Sequence, residues 1–217
     1  MLKGVKLRLR TYRTLRKEGR LPFDVENVAL GISSPKIAEY TVNLYREVQL
    51  LEKALGGARF NRSLEVGCGY GRVTPWIMKY SKKHHAVDPE PGLLKLASRS
   101  FPTVEFSCST AQKLPYPDDH FDLIVVFSVL HHIPPGEFEK SVKEIKRVAK
   151  SNATIFLHER VRGQGGFKFR SWPRSVETYK RLFSPLKLTK CFDRKMAEVG
   201  ADPLRIIKVM LFEGSSG

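Results

Sequence analysis

Residues 64–72, LEVGCGYGR, decide how the rest of this chain is read. An apolar run enters the stretch and an amphipathic one leaves it. Gly67, Gly69 and Gly71 therefore fall in a tight strand-to-helix turn, whose backbone can approach a ligand without Cβ interference. The dinucleotide fingerprint would place its third glycine at position 72, where Arg72 stands. The spacing is GxGxG preceded by Glu65, which weakens a pyrophosphate reading of the turn.

Outward from the turn, short apolar runs alternate with amphipathic stretches. Strands are expected near Ser63 to Val66, His85 to Val87, Val104 to Ser107, Phe121 to Phe127 and Ala153 to Leu157, and helices near Arg72 to Lys82, Gly92 to Ser100 and Glu137 to Ala149. That alternation predicts a parallel sheet covered on both faces, with the ligand at the carboxyl ends of the strands. Upstream, SSPKIAEYTVNLYREVQLLEKALGG has Ser33 or Ser34 to cap a helix, Pro35 in its first turn, Gly56 or Gly57 to end it, and Ile37, Leu44, Val48, Leu51 and Leu55 as a core-facing stripe. Downstream, RSVETYKRLF is helical, while LKLTKCF and RIIKVMLF read as two strands that can pair as a terminal hairpin-like unit. The sequence contains no internal repeat.

With these stretches in order, the chain resembles the class I S-adenosylmethionine-dependent methyltransferases. LEVGCGYGR looks like their first motif, in which an acid two residues before the first glycine lies near the methionine part of the cofactor; Glu65 takes that place. In AVDPEPGLLKLA, Asp88 ends the second strand, where the resemblance has it accept both ribose hydroxyl protons. A carboxylate suits that task because it only accepts. STAQKLPYPDDHFDLIVVFSVLHHI resembles the adenine-binding turn and fourth strand, with Thr110 and the backbone of Ala111 where the family often has Asp. VKEIKRVAKSNATIFLHE matches the following helix and fifth strand. The resemblance implies a Rossmann-like α/β three-layer sandwich with a mostly parallel seven-stranded sheet, its last strand antiparallel. It implies S-adenosylmethionine as cofactor and no metal, with cofactor contacts from Glu65, Gly67, Cys68, Gly69, Gly71, Asp88, Pro89, Thr110, Ala111 and Ser128.

The acceptor leaves a fainter trace. Family members that methylate exocyclic amines of bases carry Asn or Asp before Pro-Pro-Tyr after the fourth strand. Here that place reads Ser128-Val129-Leu130-His131, and Pro134-Pro135 comes too late. Pyrimidine C5 methylation needs a Cys nucleophile near that strand, and none is present. His131 and His132 follow the strand and are candidate general bases for an acceptor hydroxyl or amine, with Glu159 as the orienting carboxylate. A His doublet that only packs the loop is the competing reading. Residues 160–174, RVRGQGGFKFRSWPR, interleave five cations with Phe167, Phe169 and Trp172. Such a loop can bind nucleic-acid backbone and stack on bases, close as a lid over a small molecule, or plug its aromatics into the core.

The 217 residues suffice for one α/β domain with a sizeable core. Three dispersed cysteines exclude a disulfide scaffold and a zinc module; Cys108 and Cys191 are expected as small core residues. The formal charge of +16 is uneven: residues 1–20 carry eight Lys or Arg and one acid, residues 160–217 carry thirteen and five, and the centre is near neutral. Such ends favour polyanions, or serve solubility alone. Without a signal-like or bilayer-spanning run, a cytoplasmic location is expected. The expected organisation is a basic segment and helix over residues 1–57 covering the cofactor site, the methyltransferase domain over 58–213, and a flexible tail at 214–217. The expected function is methyl transfer to an oxygen or nitrogen of a small molecule. The alternatives are an RNA or other polyanionic acceptor, contacted through 1–20 and 160–174, and a non-catalytic cofactor-binding partner subunit.

Overall fold

The computed structural model describes residues 35–163, 165–166, 170–194 and 206–214, with side chains from residue 44 onward. The chain divides into two compact units, Met1–Glu47 with Met196–Val199, and Val48–Lys195 with Gly200–Gly217. The described part of the first is the amino-terminal portion of helix α1 (Pro35–Leu55). In the second unit Val48, Leu51, Ala54 and Leu55 of α1 are buried, and Gly56 ends the helix at φ 56° with its N–H on Glu52 O (2.7 Å). A glycine suits that left-handed stop, which costs other residues a Cβ clash.

The second unit is built on strands β1 (Phe60–Val66), β2 (Ser81–Asp88), β3 (Glu105–Cys108), β4 (Phe121–Phe127), β5 (Ala149–Arg162), β6 (Lys187–Asp193) and β7 (Ile206–Glu213). They form one sheet in the order β3-β2-β1-β4-β5-β7-β6, in which β7 is antiparallel to both of its neighbours. Between them come helices α2 (Thr74–Ile77), α3 (Pro91–Ser100), α4 (Pro135–Val148) and α5 (Val176–Phe183), with single 3-10 turns at Met78–Tyr80 and Leu130–His132. Side-chain alternation sorts the strands into two faces. Leu64, Val66, Ile124, Val126, Ile155, Leu157, Met210 and Phe212 form one core with Phe138, Val142 and Ile145 of α4 and Tyr179 and Phe183 of α5. Each such fully buried side chain contributes about 1.5–3 kcal/mol. The opposite face carries Ser63, Glu65, His84, Phe127 and His158, and α2 lies over part of it.

Strand order reverses between β1 and β4, so the crevice at their carboxyl ends is where a ligand is expected in such a sheet. The seven-stranded sheet with an antiparallel final strand agrees with the sequence reading. Several boundaries do not. The helix expected over 72–82 is one turn of α-helix and one of 3-10 helix, and β2 starts at Ser81. The start of β2, Ser-Lys-Lys, is polar, but its backbone pairs with β1 (Phe60↔Ser81, Arg62↔Lys83) while the Lys82 and Lys83 side chains face solvent. A search for apolar runs finds only the buried half of such a strand. Cys108 and Cys191 are exposed, not core, because both lie in edge strands whose burial is slight; only Cys68 is buried. The two strands after α5 do pair, but β7 also inserts between β5 and β6.

Candidate active site

Three loops meet where β1, β2 and β4 end. The glycine turn is tied to β2 by hydrogen bonds from Gly67 N and Cys68 N to Val87 O (2.8 and 3.0 Å) and from Gly69 N to Asp88 Oδ2 (2.8 Å). Gly67, Gly69 and Gly71 all have positive φ. At Gly67 a Cβ would overlap the Val129 side chain, which brings the loop after β4 against the first. Glycine is thus required twice over at position 67, by conformation and by space.

Asp88 sits at the mouth of this junction. Its Oδ1 accepts the Glu90 N–H (2.9 Å) and its Oδ2 the Gly69 N–H, so each oxygen retains capacity for one more donor. Burial raises its pKa, and the two backbone N–H groups oppose that rise. Glu65 is 1% exposed, and its Oε2 accepts the Thr74 hydroxyl at 2.6 Å. Among the described residues its Oε1 accepts no hydrogen bond. Cys68 is buried, with its thiol pKa pushed far upward, first by burial and then by the Glu65 and Asp88 charges; it is a packing group and no nucleophile. Thr110 is exposed while Ala111 is buried, and the Ser109 N–H is held by Asp88 O (3.2 Å). Pro89 is exposed beside Asp88.

After β4 the chain turns sharply at Ser128, whose φ of 60° is unusual for a residue with a side chain. The next turn is organised by Glu159, three residues before the end of β5. One carboxylate, fully buried, accepts the N–H groups of Val129 (2.9 Å), Leu130 (2.9 Å) and His131 (3.0 Å), and its Oε2 meets His131 Nδ1 at 2.5 Å. A carboxylate only accepts, so Nδ1 carries the proton and the His131 lone pair lies on Nε2. A weaker contact from the Arg160 N–H to Nδ1, at 3.4 Å, would ask the opposite; the far shorter one decides. His132 Nδ1 lies 2.7 Å from Arg170 O, which by the same logic leaves its lone pair on Nε2. Burial, and then the neighbouring His131, lower the His132 pKa and favour the neutral ring.

The segment after β5 folds onto this turn. The Trp172 backbone N–H donates to His131 O (2.6 Å), and Arg174 donates to Leu130 O (2.7 Å) and Ile133 O (2.6 Å) with its guanidinium 4.0 Å from the Phe138 ring centre. Gly166 and Ser171 pair as a bridge, and Arg160 donates to the Ser171 hydroxyl. Phe167, Lys168 and Phe169 lie outside the described residues, as do residues 1–34 and with them most of the segment expected to cover the cofactor. His158 was missed by sequence reading: fully buried, it stacks on Phe127 (4.1 Å) and lies 3.1 Å from Ser128 Oγ through Nδ1. Its signal was its place one residue before Glu159, which puts it on the other face of β5. A groove of about 410 Å³ between Glu52, Arg59, Trp76 and Tyr80 lies at the amino end of β1, away from this junction.

Among the described residues no group of three or more His, Cys, Asp or Glu could hold a metal ion, and no helix is long and apolar enough to cross a membrane. A family profile described as a methyltransferase domain matches residues 64–157, the span that carries the glycine turn, Asp88 and the turn after β4. Over residues 64–157 the chain thus carries a methyltransferase domain, consistent with the class I S-adenosylmethionine-dependent methyltransferases that its sequence resembles. It is 30% identical over 102 residues to the uncharacterized methyltransferase YcgJ of Bacillus subtilis, covering 45% of this chain and 40% of that one. With ajmaline N-methyltransferase of Rauvolfia serpentina it shares 27% over 196 residues, 74% of this chain and 66% of that enzyme. The chain thus spans less than two thirds of the length of these relatives. In fold it is similar to the N-methyltransferase NodS of Bradyrhizobium japonicum in complex with S-adenosylhomocysteine, with a TM-score of 0.68 at 17% identity over 95% of this chain and 99% of that one.

The residues present at this junction fit S-adenosylmethionine, the cofactor that the sequence resemblance implies. Asp88 offers two aligned acceptors to a diol, Gly69 leaves its surroundings open, with only Leu93 Cδ1 at 4.0 Å from a Cβ there, and Glu65 keeps one carboxylate oxygen for a cation.

Proposed function

We propose that this methyltransferase transfers a methyl group to an oxygen or nitrogen of a small-molecule acceptor, with His131 as the general base and Glu159 as its orienting carboxylate. The supporting observation is the 2.5 Å contact between His131 Nδ1 and Glu159, which fixes one tautomer and leaves Nε2 as the acceptor of a proton. When bound, S-adenosylmethionine supplies an activated methyl on a sulfonium, whose departing thioether needs no proton. The protein's own task is then to orient and to manage the acceptor's proton, and orientation alone can account for much of the rate. In this reading Asp88 holds the ribose, Glu65 the ammonium of the methionine part, Thr110 and Ala111 the adenine, and Ser128 the end of β4 beside the methyl. Glu159 also stabilises the positive charge that His131 acquires. His132, hydrogen-bonded to Arg170 O, anchors the acceptor-side segment, whose docking through Trp172 and Arg174 narrows the site and favours a small acceptor.

A second reading, an RNA acceptor, draws on the eight cations of residues 1–20 and those of 160–174. Labelled S-adenosylmethionine offered with a panel of small amines and phenols, and separately with bulk transfer RNA, separates the two: label in the small molecules supports the proposal, and label in RNA overturns its acceptor. Calorimetry should find one S-adenosylhomocysteine site, weakened by about 1–3 kcal/mol in Asp88→Ala. With an acceptor in hand, His131→Ala should slow transfer by about 10²–10⁴-fold without loss of cofactor affinity. Equal rates would leave catalysis to proximity alone and remove His131 from the site. Cofactor binding with no transfer to any acceptor would favour a non-catalytic subunit.

A further inference from the structure

Beneath the glycine turn lies a buried polar chain that the proposed chemistry does not use. Ser63 and Glu65 point to one face of β1, and His84 of β2 lies directly across from Ser63 in the parallel register. Ser63 Oγ is 2.5 Å from Ser81 Oγ and 2.7 Å from His84 Nδ1; His84 Nε2 is 3.5 Å from Glu65 Oε2, the oxygen that also accepts the Thr74 hydroxyl. Ser63, Glu65 and Thr74 are at most 1% exposed and His84 is 5% exposed. The donors can all run one way. Ser81 donates to Ser63, Ser63 to Nδ1, and the proton on Nε2 faces the carboxylate.

An imidazole and a hydroxyl side by side in a sheet interior are costly unless their polar atoms are matched, and an aliphatic pair would fill the space without that cost. Yet among the described residues His84 Nε2 has no hydrogen-bond partner, and the Glu65 carboxylate lies 3.5 Å away, just beyond bonding distance. A small rotation of that carboxylate closes the gap, with Thr74 as the pivot. Oε1, which accepts no hydrogen bond among the described residues, is then left for a ligand.

We infer that His84 is a positioning residue that, through Glu65, sets the affinity for the amino-acid end of the cofactor. The inference rests on the proposed role of Glu65 toward the ammonium. His84 touches no ligand itself; it holds Oε2 so that Oε1 is presented to the cation. An effect confined to one end of the ligand follows, and it separates positioning from general support of the fold.

The experiment is calorimetry on the full chain with two ligands, S-adenosylhomocysteine and 5′-methylthioadenosine, the second lacking the amino-acid portion. His84→Leu should weaken S-adenosylhomocysteine by roughly fivefold or more and leave 5′-methylthioadenosine within about twofold. His84→Gln, whose amide can donate in the same direction, should recover most of the loss. In a Glu65→Gln background, His84→Leu should add little, because the two act in series. Thermal unfolding checks that each variant is folded. Should His84→Leu fail that check, Ser63→Ala, which removes the Nδ1 partner, should give the same ligand-selective pattern more weakly. Unchanged affinity for S-adenosylhomocysteine, parallel weakening of both ligands, or additive effects in the double variant would each overturn the inference. Failure of the unmutated protein to bind S-adenosylhomocysteine is a different result, which overturns the cofactor reading together with it.

Discussion

Replacing Glu159 by Ala tests the organisation of the turn after β4. The carboxylate is fully buried and accepts four N–H groups, three from backbone and one from His131. Alanine removes the acceptor from all four. An unsatisfied buried donor costs about 1–3 kcal/mol, but water entering the vacated space can repair some of them. The expected loss is therefore about 3–5 kcal/mol, similar to that of breaking a buried ion pair. At ~2–4 °C per kcal/mol for a domain of this size, Tm should fall by roughly 6–20 °C. Urea unfolding followed by circular dichroism measures the free energy directly. Glu159→Gln keeps one acceptor oxygen and should lose about 1–3 kcal/mol, and His131→Ala should lose less than Glu159→Ala because the three backbone bonds survive. A loss below about 1 kcal/mol in Glu159→Ala would refute the claim that this carboxylate shapes the turn.

Three further outcomes follow from the same structure. Burial first, and then the Arg194 and Arg72 charges, hold the His158 pKa well below its usual 6.5, so the unfolded chain takes up a proton there that the folded one refuses. Its stability contribution is whole above pH 6.5 and declines as pH falls below it; His158→Phe should flatten that slope in urea midpoints taken between pH 5 and 8, and an unchanged slope would disprove the assignment. His85, His120 and His132, also lowered by burial, should preserve part of the slope. Gly69→Ala has open space and should cost only the left-handed conformation, about 1–2 kcal/mol, whereas Gly67→Ala must also displace Val129 and should cost clearly more in the same assay. Arg174→Lys cannot reach both Leu130 O and Ile133 O and should lose about 1–2 kcal/mol; an unchanged Tm would mean that the segment docks by other contacts.

The parts of this molecule that were legible in its sequence are those governed by local rules. Glycines at 67, 69 and 71 announce a turn with positive φ, and the buried central strands β4 and β1 announce themselves by apolar runs. Asp88 was marked by the family resemblance, and the histidine pair by its place after the fourth strand. What could not be read depends on partners distant in sequence. Glu159 could be read as a carboxylate placed to orient the histidines, but its work as the cap of Val129–His131 exists only because β4 and β5 are neighbours. Ser63 and His84 interrupt their strands with polar atoms, and each makes sense only once the β1–β2 register brings them together. The start of β2 is hidden from hydropathy because pairing there is done by backbone and by the Ser81 hydroxyl, with no apolar side chain to mark it.

Sheet order also dictates a sequence of events during synthesis. Because β7 lies between β5 and β6, the earlier-made β6 has no place in the sheet until the later β7 has emerged. A nascent chain halted before Ile206 would leave the long β5, apolar through its middle, with one side unpaired, the kind of edge that recruits other strands. The last strand made is thus the one that shields the strand bearing Glu159. Any fusion or truncation that delays its arrival puts the acceptor side of the site, rather than the glycine turn, at risk of aggregation.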